Sequence, residues 1–319
     1  SISKKDFTVI NKEQLSADMW VLTNKQIKAV LDKMNQQPLR VSDIFEKIFQ
    51  GIATSKDSVY FLTDVKEKEQ LLECYSKELD KRILVEKELA KPLLKGDSVH
   101  RYEEIQTNRV VIFPYYISKS AELEQAVLYK EDYLETNFPH GYSYLKECED
   151  ILRSREKGRF NIEGEWFQFG RKQGILGASK EKIITPYLSM KSQLSYDRYG
   201  DYYANTKCFG LIKNKNVKES YAFYLSILNS NLMWFFIRST SSVMSGNYYT
   251  YTKDSLSPFP IPKIENLEYT RPFENLVEHV MKNKKLNVDT QDLESEIDQL
   301  VYKLYGLTDK EIEIVENSS

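Results

Sequence analysis

The chain has 319 residues, 41% hydrophobic and 13% aromatic, enough to build a sizeable core and too apolar for a disordered protein. Its 45 lysines and arginines nearly balance 47 acids, a formal charge of −2 that by itself argues against a polyanionic partner. There is no N-terminal charged–apolar–small segment and no long apolar run, so neither export nor a membrane span is signalled and the cytoplasm is the expected compartment. Cys74, Cys148 and Cys208 are solitary and far apart, which signals neither a disulfide framework nor a zinc site.

The charge is unevenly spread. Residues 287–319 hold nine acids against two bases, a net −7, which leaves +5 for the remainder. Residues 151–218 alone carry fourteen lysines or arginines against six acids. A field of this kind suits an anionic partner at the middle of the chain and a protein neighbour or solvent at its end.

In chain order, Ile27, Val30, Leu31 and Met34 recur at helical spacing and predict a helix over 24–34. A short helix is expected from Val41. Gly51 then allows a tight backbone before a small, polar tip at Thr54, Ser55 and Lys56 and a strand over 59–62. The charge-rich stretch 66–90 reads as a solvated helix. Lys91, Lys95 and Arg101 surround a turn bracketed by Pro92 and Gly96, and RVVIFPYY (109–116) reads as a strand. Helices are expected at about 121–135 and 141–157, the second carrying Arg153, Arg155, Lys157 and Arg159 to its end. Arg171 and Gln173, two apart, would share one face of a strand. Arginine can reach two acceptors on guanine, and glutamine can both donate to and accept from adenine, so this pair is apt for base edges.

The segment 221–262 is predicted to hold a central helix apolar around most of its circumference, interrupted at Asn229 and Ser230. A small polar loop ending at Asn247, a short aromatic strand over 248–251 and a proline-ended extended segment follow. Apolar stripes at Phe273, Leu276, Val277, Val280 and Met281, and at Leu293, Ile297, Leu300, Val301 and Leu304, imply a helical hairpin over 270–305. Thr308 and Glu311 make a capping box for a last short helix.

Several of these stretches together resemble the TaqI-like C-terminal specificity domain, the target-recognition part of type IIG restriction-modification enzymes and adenine-N6 DNA methyltransferases. More weakly, they are similar to the recognition domains of type I specificity subunits. The resemblance rests on Gly51, Ile52, Thr54, Ser55, Asp57, Val59 and Phe61; on KPLLKGD (91–97) and VIFPY (111–115); on Trp166, Arg171 and Gln173; and on KIITP (182–186) with Asp197 and Gly200. It rests further on LNS (228–230), the FPIP end (259–262) and, most specifically, EIDQLVYKLYGLTDKEIEIVE (296–316). It covers about residues 40–319, with Ser55 where glycine is usual and one spacer missing between Gly96 and Asp97.

The resemblance implies a mixed α/β (α+β) fold with a curved, mainly antiparallel sheet, flanking helices and a C-terminal helical hairpin. It also implies a division into a connector (1–39) to an absent catalytic domain, a recognition domain (40–265) and the hairpin (266–319). The implied function is sequence-specific binding of double-stranded DNA, non-catalytic in isolation. Its covalently linked partner would be a methyltransferase domain using S-adenosylmethionine, joined in some members by a nuclease. The expected DNA contacts are Thr54, Ser55, Lys56, Lys91, Lys95, Arg101, Arg153, Arg155, Arg159, Arg171, Gln173, Lys182, Ser241, Ser242 and Asn247. Arg171 and Gln173 would read bases while Lys95 and Lys182 grip phosphates.

The chemistry absent from the sequence agrees. There is no Phe-x-Gly-x-Gly loop, no (Asp/Asn/Ser)-Pro-Pro-(Tyr/Phe) motif and no phosphate-binding G-x-x-x-x-G-K-(S/T) loop. Asp57, with Asp64 and Lys66 flanking one strand, lacks the usual Pro-Asp start and a clear second carboxylate of a magnesium nuclease, and His100, His140 and His279 have no nucleophile at a recognised spacing. The alternative class is a protein-interaction module of similar fold whose acidic C-terminal helices dock a partner.

Overall fold

A computed structural model describes residues 25–120 and 123–317. It is a mixed α/β fold with mainly antiparallel pairing, as the sequence predicts. One sheet of six strands runs in the order 203–204, 90–94, 109–112, 61–68, 71–76 and 81–86, and its only parallel pair joins Tyr203–Ala204 to Leu93–Leu94. A second sheet of four antiparallel strands has the order 195–197, 182–186, 208–213, 45–50. Small ribbons at 115–119 with 124–128, and at 188–189 with 248–250 and 243–244, project from these sheets.

Local chemistry explains where the sequence reading held and where it failed. Residues 66–90 are not a helix but the strands Phe61–Lys68, Leu71–Ser76 and Lys81–Glu86. Leu72, Cys74 and Ser76 are buried while their neighbours are not, the period of two that a half-buried strand requires. The hairpin turns use Glu69 and Asp80 in the left-handed region, φ 49° and 50°, without glycine, so no turn signal stood in the sequence. Residues 121–135 likewise give a strand, Glu124–Leu128, before the helix Glu131–Asn137. Val59 and Tyr60 close a helical turn, Asp57–Tyr60, and the strand starts only at Phe61. RVVIFPYY splits at Phe113–Pro114 into strands of two different sheets, since proline cannot continue the ladder.

The central apolar segment is two buried helices, Tyr221–Asn229 and Asn231–Thr240. Ser230 ends the first and caps the second, its Oγ accepting from the Met233 amide at 3.2 Å. Asn229, fully buried, accepts from the Leu194 amide (2.8 Å) and donates to the Leu194 carbonyl (3.0 Å), which ties the helix break to the four-stranded sheet. The predicted hairpin is present as Arg271–Lys285 and Gln291–Leu304, followed by Asp309–Glu316, where the Thr308 amide donates to the Glu311 carboxylate at 2.7 Å. Phe273 meets Phe223 edge-on at 5.3 Å, so the first stripe faces the central helices. The Lys25–Asn35 helix joins the same core, and its Lys33 reaches Glu311 at 2.6 Å.

Two expected DNA contacts are part of this framework instead. Lys182 is 1% exposed, with its ammonium 2.5 Å from Asp197 and bonded to the Ala178 and Lys180 carbonyls. Asp197 also accepts from the Asp201 and Tyr202 amides, so the matched lysine and aspartate build a buried turn and present nothing to a phosphate. Arg101 lies 2.6 Å from Glu294 and 3.8 Å from Asp298, fastening the turn after Leu94 to the Gln291–Leu304 helix. Burial raises the Glu294 pKa, but Arg101, Thr290 and Lys284 outweigh it and hold the carboxyl low. For Asp298 burial wins, pushing the carboxyl up to about 6 against the pull of Arg101 and of the Asn231 amide.

Arg101→Ala is expected to cost about 3–5 kcal/mol in a urea titration, because it leaves the buried Asp298 without its cation and Glu294 with Lys284 alone. Asp298 supplies a pH signature. The folded state holds its proton more tightly than the unfolded state, so stability is lost as pH rises from about 4 through about 6. Asp298→Asn should flatten the stability–pH curve across that window; an unchanged curve would show that another group sets it.

Candidate nucleic-acid interface

The Thr54–Lys56 tip, the end of the second predicted helix and the 165–173 segment come together, and one buried cation organises them. The Glu149–Gly158 helix loses its helical geometry at Arg155 (φ −54°, ψ 143°), then Glu156, Lys157 and Gly158 all take positive φ. This path sends the Arg155 side chain inward. Its guanidinium, 5% exposed, donates to the carbonyls of Leu152 (2.8 Å), Thr54 (2.7 Å), Trp166 (2.7 Å) and Gln168 (2.9 Å). The rings of Tyr60 and Phe160 flank it at 5.6 and 4.4 Å. Arg155 is therefore the post on which three loops are hung, and its burial takes it out of the expected set of DNA contacts.

Around that post, the Arg171 amide donates to the Ala53 carbonyl (3.1 Å) and the Gly170 amide to Thr54 (3.2 Å). Arg171 and Gln173 lie not on a strand but on a loop joined to the tip by these two bonds, and both are exposed. The Gln173 amide donates to the Gln50 side chain (3.1 Å), and Gln50 donates on to the Thr206 carbonyl (2.8 Å). Gly51 is required by packing here, since a Cβ would sit 2.2 Å from the Ala204 and Asn205 carbonyl oxygens.

The remaining expected contacts divide by what already holds them. Thr54 is fully buried and donates to Asp57 (2.6 Å), a tip-bracing role. Lys56 pairs with Glu78 (3.1 Å), Arg153 with Glu149 (2.7 Å) and Glu163 (3.1 Å), and Arg159 with Glu156 (3.0 Å). Ser55 is exposed, with its hydroxyl on Glu156 at 2.6 Å. Lys91 is half-buried, and burial pulls its ammonium below the ordinary value although Glu88 partly restores it. The Ser241 hydroxyl is buried, whereas Ser242 and Asn247 stand exposed on a hairpin.

Among the described residues, the cations near this site without an ion-pair partner include Lys91, Lys95, Lys157, Arg171, Lys172 and Lys207; Lys172 and Lys207 stand outside the expected set, and Arg171, Lys172, Lys95 and Lys207 form a strip. They follow a contact path. Gln173 leads through Gln50 to Thr206; a Cβ on Gly96 would lie 3.4 Å from the Lys207 carbonyl; and the Tyr187 amide donates to that carbonyl at 2.7 Å. Lys207 is a lone base between apolar strands, and only the 205–207 turn that places it beside Lys95 gives it meaning. No cluster of metal-ligating side chains occurs among the described residues, and no described helix is long and apolar enough to cross a membrane. The three cysteines are buried, and burial pushes the Cys74, Cys148 and Cys208 thiols up to about 12, 11 and 12.

This chain is similar to the type II methyltransferases M.HincII of Haemophilus influenzae and M.HindII of Haemophilus influenzae Rd, with 22% identity to each. The similarity covers 86% of the chain and 51% and 52% of those proteins, so the chain spans about half the length of the curated relatives it matches. Residues 91–261, more than half of the chain, match the TaqI-like C-terminal specificity domain. The match takes in Lys95, Arg171, Gln173 and Lys207 together with the buried Lys182–Asp197 and Arg155 frameworks, and the chain belongs to that family.

Proposed function

We propose that the chain recognises a specific sequence in duplex DNA as the specificity half of a restriction-modification methyltransferase. The observation that carries this reading is the strip of cations without an ion-pair partner, Arg171, Lys172 and Lys207 exposed and Lys95 half-buried, with Gln173 set among them on a braced loop. Arg171 and Gln173 read base edges; Lys95, Lys172 and Lys207 hold phosphates. Residues 40–265 are the recognition domain and 266–319 its supporting hairpin. The linked half would carry an adenine methyltransferase and use S-adenosylmethionine, working in the cytoplasm where the DNA is. The protein-interaction alternative is weaker, because Glu294, Asp298 and Glu311 of the acidic end are turned onto Arg101 and Lys33 of the same chain.

Binding by fluorescence anisotropy on preferred and scrambled duplexes tests the assignment. Arg171→Ala should weaken the preferred duplex by roughly 1–3 kcal/mol and relax discrimination at one base pair, whereas Lys207→Ala should weaken all duplexes alike and lower the salt slope by about one. Equal losses on both duplexes for Arg171→Ala would make it a phosphate contact. Lys182→Ala should change the melting temperature and leave the salt slope as it is.

Arg155→Lys separates positioning from contact. A single ammonium cannot span four carbonyls, so at least about 2 kcal/mol of stability should be lost. Discrimination between duplexes should fall with no change in salt slope; a reduced slope would put Arg155 on a phosphate.

A further inference from the structure

At the far end of the strip stands a hairpin that the recognition reading leaves without a role beyond Ser242 and Asn247. Strand Val243–Met244 pairs with Tyr248–Thr250, which pairs in turn with Leu188–Ser189. The turn is tight, with Gly246 and Asn247 both in the left-handed region at φ 78° and 60°, a shape that suits glycine and asparagine. Its base is anchored: Tyr249 meets Trp234 edge-on at 5.3 Å, and the Tyr251 amide donates to the Tyr187 carbonyl at 2.9 Å. The tip therefore stands out from the body as a firmly rooted finger.

The finger is apolar on both of its faces. Val243 and Met244 are consecutive strand residues, so they point to opposite sides of the ribbon, yet they are 58% and 44% exposed. Tyr248, across from Met244, is 41% exposed, and Met190 beside the third strand is 53% exposed. A flat protein surface would cover one face of such a ribbon and leave the other in water. Tyr249, on the Val243 face, packs on Trp234 at the base, which leaves the two sides free only toward the tip; a slot covers both sides there, and a duplex offers one between base pairs opened from the groove side. The charges agree with that occupant: Lys191, Arg238 and Lys253 are exposed around the finger and have no ion-pair partner among the described residues, with the Arg238 guanidinium over the Trp234 ring at 5.6 Å. The finger is also continuous with the proposed strip, because Tyr187, which it grips, is bonded to Lys207.

We propose that Val243, Met244 and Tyr248 form a wedge that enters the bound duplex between base pairs and bends it, an inference that rests on the DNA-recognition reading. The wedge would give sequence preference at a step that no side chain reads by hydrogen bonds, because flexible pyrimidine–purine steps open at least cost.

The test uses duplexes of about 30 base pairs selected from a random pool by the chain itself, labelled at both ends for energy transfer and carrying 2-aminopurine at successive positions. With the wild-type chain, 2-aminopurine should brighten at one step and the ends should approach. Val243→Ser combined with Met244→Ser should abolish both signals and weaken binding about ten- to a hundredfold, while the salt slope stays within about one of wild type. Because the replaced side chains are exposed, the melting temperature should not move; should the double variant misfold, Tyr248→Ala provides the same reading. Binding by the wild type with a straight, fully stacked duplex, or distortion that survives these changes, overturns the wedge and leaves the recognition reading intact. Failure of the wild-type chain to select any duplex overturns both.

Discussion

The architecture depends on the break between the two central helices. Asn229 is buried with both ends of its amide bonded to the backbone of Leu194, a bond pair worth far more inside the protein than in water. One residue on, Ser230 caps the next helix; one further, the Asn231 amide donates to Asp298 at 2.7 Å. Three consecutive polar residues thus fix a sheet strand, a helix direction and the C-terminal hairpin against one another. An uninterrupted apolar helix in the same place would bury as much surface and fix none of these orientations.

The basic residues are sorted by the fold into three groups with different physics. Lys182, Arg155 and Arg101 are buried and serve the framework, each with its hydrogen bonds or opposing charges supplied from within. Lys56, Arg153 and Arg159 lie at the surface but are paired with carboxylates, which leaves little net field for a distant anion. Only the remainder, including Arg171 and Lys207, projects charge into solvent. The net +8 over residues 151–218 already deducts Glu156, Glu163 and Asp197, and it is lowered further by carboxylates from outside that stretch, Glu149 on Arg153 and Glu124 on Lys180.

Much of the fold was legible because it rests on periodicity. The central helices, the hairpin stripes and the capping threonine each follow a 3.6-residue repeat or a short capping pattern, and the structure has them all. The strands at 61–86 were hidden because helix-forming glutamates and lysines fill their exposed positions and their turns lack glycine. Of the candidate site, Thr54 and the pair Arg171 and Gln173 were each singled out, but the pairing of the tip with 170–171 was not foreseen, because a contact over more than a hundred residues leaves no local pattern. Burial of Lys182 and Arg155 could not be read at all, since a lysine facing an aspartate fifteen residues away and an arginine facing bare carbonyls leave no local pattern.

Arg155 has one more consequence. Its charge is met by carbonyl dipoles and ring faces alone, with no carboxylate in an ion pair among the described residues. Dipoles solvate a cation but do not cancel its charge, and dissolved ions cannot approach it inside the protein. The attraction between that charge and the carbonyls of the three loops is thus a permanent, salt-tolerant one, in contrast to that of the exposed lysines for anions in solvent. The loops would keep their positions relative to one another at ionic strengths that loosen the surface pairs around them.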